Sequence, residues 1–294
     1  MLLKAFFDYL RYERGASEQT IESYRSDLMA FESFYKCLDS DLTWKTIDID
    51  VAREWVVSMM ERGQKASSVQ RRLSALRSFY RFLLKREYVA HNPVQGLVAP
   101  KKERTLPTFI REEEMSRLLD REGMFDDTFE GRRDHLIIAM FYETGLRLGE
   151  LIGLNMDSVD LTSQQLRVIG KGNKQRIVPF GDGLLHLINI YIGERASLAI
   201  ESGEPFFVSR EGKRLKPAKV RAMVRKQLGL VTLQRKRSPH VLRHTFATSM
   251  LNHQADLQSV KELLGHEKLS TTEIYTHTTF EELKRVYRTA HPRA

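Results

Sequence analysis

A stretch rich in proline, glycine and charge divides this chain into two parts with different sequence patterns. Residues 96–107 read GLVAPKKERTLP, with two prolines, one glycine and no apolar periodicity. Proline has no N–H to donate and restricts the residue before it, so such a stretch suits neither a helix nor a central strand. It predicts an extended linker between a first domain, residues 1–95, and a second domain, residues 108–294. A length of 294 residues agrees with two domains.

The first domain is predicted to be entirely helical, because its apolar residues recur at steps of three and four. One stripe comprises Ile21, Tyr24, Leu28, Phe31 and Tyr35, and a second comprises Val69, Leu73, Leu76, Tyr80 and Leu83. The single cysteine, Cys37, lies beside the first stripe and is predicted to be a buried thiol. With one cysteine there is no internal disulfide, and no apolar run is long enough for a membrane span, so we expect a cytoplasmic protein without a membrane partner.

The second domain carries one clear sheet signal. Two short β-like runs, Leu166–Ile169 and Arg176–Phe180, flank Gly-Lys-Gly-Asn-Lys-Gln, whose glycines and asparagine suit a hairpin turn. The rest of the domain reads as mostly helical. The predicted fold class is therefore mainly α, a helical bundle followed by an α+β domain with a small antiparallel sheet.

Positive charge is concentrated in two segments. Residues 62–86 hold eight basic and no acidic side chains, and residues 210–243 hold 12 basic side chains against one acidic side chain. Such a charged face is commonly only solvated, but solvated faces usually mix both signs. Because the charge is spread over turns and helices of both domains, nucleic acid is favoured over a membrane surface. The predicted DNA contacts on the first segment are Arg71, Arg72, Arg81, Lys85 and Arg86.

The segment Ser238-Pro239-His240-Val241-Leu242-Arg243 predicts a helix start that binds an anion. Serine before proline is a typical helix beginning, and His240 and Arg243 then share a face at its positive end. The alternative is that both side chains only cap the helix or form an ion pair. His240 and His244 have zinc-ligand spacing, but Val241 stands where a metalloprotease has glutamate, so no metal is expected.

Three further groups are candidates for chemistry, each weak alone. Arg147 follows the turn Thr144-Gly145 in the first turn of a helix, where Glu150 can hold its guanidinium. Lys171 lies at the glycine-flanked hairpin tip, where it can deliver a proton, although a solvated lysine is the ordinary interpretation.

The third group follows the helix stop at Gly265. His266 lies on the connection that leaves this glycine, and Tyr275 lies in a short helix that follows. Threonines and a histidine surround Tyr275, which is unusual for a core tyrosine.

Taken in order, these segments resemble the tyrosine recombinase family, most closely its Xer group, over essentially the whole chain. TGLRLGEL is similar to the family's first arginine box, VIGKGNKQRIVP to its lysine hairpin, HVLRHTFAT to its histidine–arginine box, and LLGHEKLSTTEIYTH to its nucleophile region. The resemblance implies a two-domain C-shaped clamp whose first domain binds DNA. It also implies that the C-terminal residues AHPRA pack into a neighbouring subunit.

The resemblance also implies a role for each matching residue. Arg147 and Arg243 resemble the arginines that bind the scissile phosphate, Lys171 the general acid, His240 and His266 the supporting histidines, and Tyr275 the nucleophile. A covalent 3′-phosphotyrosine requires neither ATP nor a metal, so no cofactor is expected. The implied partners are double-stranded DNA, a homotetramer or a heterotetramer with a paralogous recombinase, and a DNA translocase as regulator.

The implied function is site-specific DNA recombination that resolves chromosome or plasmid dimers. Three alternatives stay open: a mobile-element integrase of the same build, a type IB topoisomerase-like enzyme, and a non-catalytic DNA-binding protein on the same scaffold.

Overall fold

The computed structural model describes residues 1–101, 108–170, 174–200, 203–265 and 280–294. The chain divides into two compact units, Met1–Thr105 and Leu106–Ala294. Each unit has its own apolar core.

The described part of the first unit is helical, as predicted. Its helices are α1 (Leu2–Asp8), which continues as a π-helical turn (Tyr9–Glu13), α2 (Glu18–Leu38), α3 (Ile49–Glu61) and α4 (Ala66–Lys85). Side chains satisfy the free N–H groups at two helix starts: the Ser17 hydroxyl accepts from the Thr20 N–H, and the Asp48 carboxylate accepts from the N–H groups of Asp50 and Val51.

Helix α4 buries the predicted stripe completely, since each of its five residues is fully inaccessible to solvent. Phe79 and Phe82 are buried as well, because α4 lies against α1, α2 and α3 and so needs a wider apolar face than one stripe. The aromatic contacts are dense: the ring centroid of Trp44 lies 4.8 Å from that of Phe79, in edge-to-face geometry.

The prediction for Cys37 is wrong, because this cysteine is exposed. Each helical residue turns by about 100°, so Cys37 points roughly opposite to Tyr35, two residues earlier, whose ring is buried.

The start of the predicted linker packs on the first unit. Leu97 lies in that unit's core and its carbonyl accepts from Arg77, while Gln70 donates to the Pro100 carbonyl at 2.7 Å. Residues 102–107 lie outside the described residues, so the predicted bounds of the linker stay a prediction.

The described part of the second unit combines helices with one small sheet. Its elements are α5 (Glu112–Asp120), α6 (Phe129–Thr144), α7 (Leu148–Gly153), a 3-10 turn (Met156–Ser158), β1 (Val159–Asp160), β2 (Gln165–Ile169), β3 (Gln175–Pro179), α8 (Asp182–Arg195), α9 (Pro217–Leu228), α10 (Pro239–Asn252), α11 (Leu257–Leu264) and α12 (Phe280–Ala290). The fold class, mainly α with a small antiparallel sheet in the second domain, is confirmed.

The sheet has the order β1-β2-β3, with both neighbouring pairs antiparallel. The predicted hairpin is β2 and β3, in a register that places Leu166 opposite Val178 and Val168 opposite Arg176. Strand β1 was not predicted, because two residues are too short to show alternation. Helix α6 lies at the centre of the core and is buried nearly all round, with α8 and α10 against it.

The C-terminal residues pack on their own unit. His291 is buried with its ring stacked on Tyr287, at a centroid distance of 5.3 Å. Arg293 pairs with the buried Glu143, at 3.2 Å, and with Asp120, at 2.8 Å. In the single chain this tail packs over α6, and the packing into a neighbouring subunit that the resemblance implied stays a prediction. Among the described residues, no helix is both long and apolar enough to cross a bilayer.

Candidate active site

A tight turn between α6 and α7 places the first arginine. Helix α6 ends at Gly145, whose φ of 61° is left-handed and favours glycine. A Cβ there would lie 2.6 Å from the ring of Phe246, so the turn also has no room for a side chain. Arg147 is then the N-cap of α7, one residue earlier than the predicted first turn, with Glu150 three residues on.

The Glu150 carboxylate lies close to three arginine side chains, each from a different part of the chain. Its carboxylate accepts from the Arg147 backbone N–H at 2.7 Å and from Arg147 Nη1 at 2.8 Å. Arg176, on β3, donates from Nη1 and Nη2 at 2.8 and 2.9 Å, and Arg243 Nη1 lies 3.9 Å away. Glu150 has the supporting position that the sequence predicted, but it serves three arginines instead of one.

The pKa of Glu150 shows that its arginine partners outweigh the effect of its burial. Burial by itself would raise the pKa, since only 5% of the side chain is exposed. The hydrogen bonds from Arg176 and from the Arg147 backbone, with the nearby charges, lower it instead to about 2. The carboxylate is therefore fully ionised at neutral pH and holds the arginines electrostatically.

Arg243, on α10, is the buried partner of this cluster. Its Nη1 donates to the Gly145 carbonyl at 2.6 Å and its Nη2 donates to the Leu264 carbonyl. Burial and the neighbouring charge of Arg147 lower its pKa to about 10, so it stays protonated at neutral pH. The structure thus brings Arg147 and Arg243, 96 residues apart in the sequence, to one carboxylate.

Arg176 belongs to this cluster, although the sequence did not lead us to predict it as a site residue. A signal for it exists in the sequence: Arg176 and Val178 are two residues apart on a strand and so share one face, and Val178 is buried. A charged residue on the buried face of a strand needs a partner.

His240 is the second residue of α10 and is exposed. It lies three residues before Arg243 on the same helix, as predicted, at the end where backbone N–H groups are free. Ser238 is the N-cap residue and Pro239 the first helical residue, but the serine side chain makes no capping hydrogen bond. Within the described ranges, no group of three or more His, Cys, Asp or Glu side chains is placed to hold a metal ion.

Three predicted residues, Lys171, His266 and Tyr275, lie outside the described residues, and their roles stay predictions. The described residues next to this gap are joined by a hydrogen bond, since the Gly170 N–H donates to the Lys174 carbonyl at 2.8 Å. The residue before His266 is Gly265, which ends α11 with a φ of 64°.

The predicted DNA contacts on α4 differ in how available they are. Arg71 donates to the buried Asp27, and Arg72 lies 3.7 Å from the same carboxylate. Arg86 pairs with Glu13, an exposed residue. Arg81 and Lys85 are exposed.

The second unit presents a basic helix face that the sequence indicated only as a charged segment. On α9 and the loop after it, the exposed basic side chains are Lys219, Arg221, Arg225, Lys226, Arg235 and Lys236. Arg214 in the same segment is turned inward, since it donates to the carbonyl oxygens of Ile152 and Leu154.

Comparison with known families covers nearly the whole chain. The profile of the phage integrase family matches residues 108–282, and the profile of the phage integrase N-terminal SAM-like domain matches residues 3–87. Tyrosine recombinase XerC of Azotobacter vinelandii (strain DJ / ATCC BAA-1303) is 41% identical over 292 residues, which cover 99% of this chain and 96% of that protein. Tyrosine recombinase XerC of Pseudomonas aeruginosa (strain LESB58) is 41% identical over 293 residues, which cover 99% and 95%.

Solved structures show the same fold. The post-cleavage complex of the XerH site-specific recombinase with palindromic difH substrate has a TM-score of 0.73 and 23% identity, covering 93% of this chain and 77% of that chain. The pre-cleavage complex of XerH with difH substrate has a TM-score of 0.70 and 25% identity, covering 96% and 83%. The chain therefore belongs to the phage integrase family and is a Xer-like tyrosine recombinase, an enzyme that cuts and rejoins DNA at specific sites.

Proposed function

We propose that the scissile phosphate binds between Arg147 and Arg243. The observation that carries this proposal is that two guanidinium groups from separate elements meet at one ionised carboxylate, Glu150. Attack on a phosphodiester places negative charge on its two non-bridging oxygens, and fixed guanidinium forks stabilise that charge most in the transition state. Arg147 suits direct contact, because 42% of its side chain is exposed.

The remaining roles follow from the chemistry of the step. The Tyr275 hydroxyl attacks phosphorus, the phosphotyrosine bond forms, and the bond to the leaving sugar oxygen breaks. Forming a phenolate from a tyrosine of ordinary pKa costs about 4 kcal/mol at neutral pH, so His240 is assigned to accept or position that proton. Lys171 is assigned to protonate the departing oxygen, and His266 to hydrogen-bond the phosphate.

The covalent intermediate explains how strands are rejoined without an energy source. The phosphotyrosine conserves the energy of the broken bond, and a free DNA hydroxyl reverses the attack. The residues proposed here need no metal and no ATP for that exchange.

Both units contribute to DNA binding in this proposal. The first unit acts as the core-binding domain through α4, and the second, catalytic unit through the basic face of α9. Arg81 and Lys85 are the α4 side chains best placed, because both are exposed, whereas Arg71 and Arg72 also hold Asp27. If about eight such contacts neutralise phosphates, log affinity falls with log salt at a slope of roughly −7.

The biological role proposed is resolution of chromosome or plasmid dimers in the cytoplasm, by a tetramer on two paired sites. The support is the extent of the match, since relatives named XerC align over 99% of this chain. A homotetramer and a heterotetramer with a paralogous recombinase, and regulation by a DNA translocase, are all compatible with it. Mixing the chain with each paralogue on the target site and counting recombinant products separates the two assemblies.

A nicked suicide substrate tests the nucleophile. Such a substrate lets cleavage proceed but removes the strand needed for rejoining, so an SDS-resistant protein–DNA adduct accumulates. Its target sequence comes from sequencing DNA crosslinked to the protein in cells. Tyr275→Phe should abolish the adduct and retain the gel shift, while Tyr12→Phe, a change at a tyrosine 77% exposed on the first unit, should alter neither. An undiminished adduct with Tyr275→Phe would falsify the assignment.

A further inference from the structure

Three arginines donate hydrogen bonds to the carbonyl groups at the C-terminal end of α11. Arg176 Nε donates to the Leu263 carbonyl at 3.0 Å, Arg243 Nη2 donates to the Leu264 carbonyl, and Arg147 Nη2 donates to the Gly265 carbonyl at 3.1 Å. The last carbonyl groups of a helix have no partner within it and carry partial negative charge. Here three successive carbonyls are satisfied by three guanidinium groups that also surround Glu150.

Arg176 differs from Arg147 in how its donors are used. Each of its three nitrogens donates within the protein, two to Glu150 and one to Leu263. Only 13% of its side chain is exposed, against 42% for Arg147. Because all three nitrogens of Arg176 already donate within the protein, it is not arranged to bind a phosphate itself.

The position of Arg176 connects two parts of the site. It lies on β3, five residues after Lys171 in the sequence, and it contacts the end of α11, directly before His266. A Cβ on Gly265 would lie 3.1 Å from Arg176 Cδ, so the arginine side chain lies flat against this glycine. One side chain thus ties together the hairpin strand, the end of α11 and the shared carboxylate.

We propose that Arg176 is a positioning residue for strand cleavage. It holds Glu150 in the orientation that aligns Arg147, and it fixes the end of α11 against β3. This inference rests on the proposed function of Arg147 and Arg243 as the phosphate-binding pair. The guanidinium fork is essential to the role, because an ammonium group cannot donate two parallel hydrogen bonds to Glu150 and a third to Leu263.

The test compares Arg176→Lys and Arg176→Gln in single-turnover cleavage of the nicked substrate. A displacement of about 1 Å in an aligned site costs about 100-fold in rate, so both variants should cleave about 100-fold more slowly. DNA affinity should change less than threefold. The lysine variant keeps the charge and lowers the risk of misfolding, and melting curves confirm that each variant is folded.

A double-mutant comparison distinguishes positioning from a general structural role. If Arg176 acts partly through Glu150 and Arg147, then Arg176→Gln should slow cleavage by about tenfold or less in the Arg147→Ala background, against about 100-fold in the wild type. Arg195→Ala is the matched control, because Arg195 is also buried and donates to backbone carbonyls, those of Phe206 and Pro205, away from the site. Its effect on cleavage by the folded protein should be small and should multiply with that of Arg147→Ala.

The outcomes separate this inference from the proposed function. Cleavage at the wild-type rate by Arg176→Lys, or a full multiplication of the Arg176 and Arg147 effects, overturns the positioning role while the phosphate site stands. Wild-type cleavage by Arg147→Ala overturns the phosphate site, and the positioning role with it.

Discussion

Replacing Glu150 by glutamine removes the charge on which the arginine cluster is built and changes almost nothing else in shape. The pKa of Glu150 is lowered from 4.5 to about 2, which corresponds to about 3 kcal/mol of preference for the ionised form in the folded state. Since Arg147 is partly exposed, solvent screens part of this interaction, and we expect Glu150→Gln to lose about 2 kcal/mol at pH 7.

The pH dependence of unfolding shows whether the charge of Glu150 causes this loss of stability. Because the folded-state pKa lies below the unfolded value, the stabilisation is complete above pH 4.5 and is lost as pH falls toward 2. The difference in unfolding free energy between wild type and Glu150→Gln should therefore shrink from about 2 kcal/mol at pH 7 to less than half of that at pH 3.

Denaturant unfolding followed by circular dichroism measures that difference, and tryptophan fluorescence supplies an internal control. The chain has two tryptophans, Trp44 and Trp55, both buried in the first unit, so their fluorescence should report no change on substitution in the second unit. A difference equally large at pH 7 and pH 3 would refute the electrostatic reasoning.

Four further substitutions test other parts of the molecule. Gly145→Ala forces a side chain into left-handed backbone and against Phe246, and should cost about 2–4 kcal/mol in denaturant unfolding. Burial raises the pKa of Glu143 to about 7 despite its arginine partner, so stability should fall by about 3 kcal/mol as pH rises from 4.5 to beyond 7, and Glu143→Gln should remove that fall. Arg81→Gln and Lys85→Gln should each reduce the salt slope of DNA binding by about 1, measured by titration at several salt concentrations; an unchanged slope would exclude phosphate contact.

Local pattern was sufficient to predict the helical character of the first unit, its helices α2 and α4, and the hairpin of the second unit. The stripe on α4 is fully buried, because apolar spacing of three and four residues fixes a helix face whatever it packs against. The hairpin was predicted because its glycine-rich turn and flanking β-branched residues agree. The same logic placed Arg147 beside Glu150, three residues on, where a helix start brings the two side chains together.

What the sequence could not provide is pairing between distant elements. The buried Asp27 pairs with Arg71 and Arg72 from a helix more than 40 residues later, so part of the predicted DNA-binding face also forms ion pairs within the fold. Arg176 joins Glu150 across 26 residues and the end of α11 across 87 residues. Such contacts arise from tertiary packing, and the local spacing of apolar residues does not predict them.

Strand cleavage by Arg147→Gln, compared with its DNA affinity, tests the phosphate-binding site most directly. Arg147 is half-exposed at the start of α7, so its loss should leave the fold and the gel shift intact. By analogy with arginines that stabilise phosphoryl transfer, the single-turnover rate should fall by about 10³-fold or more. A loss of less than about tenfold, with binding unchanged, would show that this guanidinium does not contact the reacting phosphate.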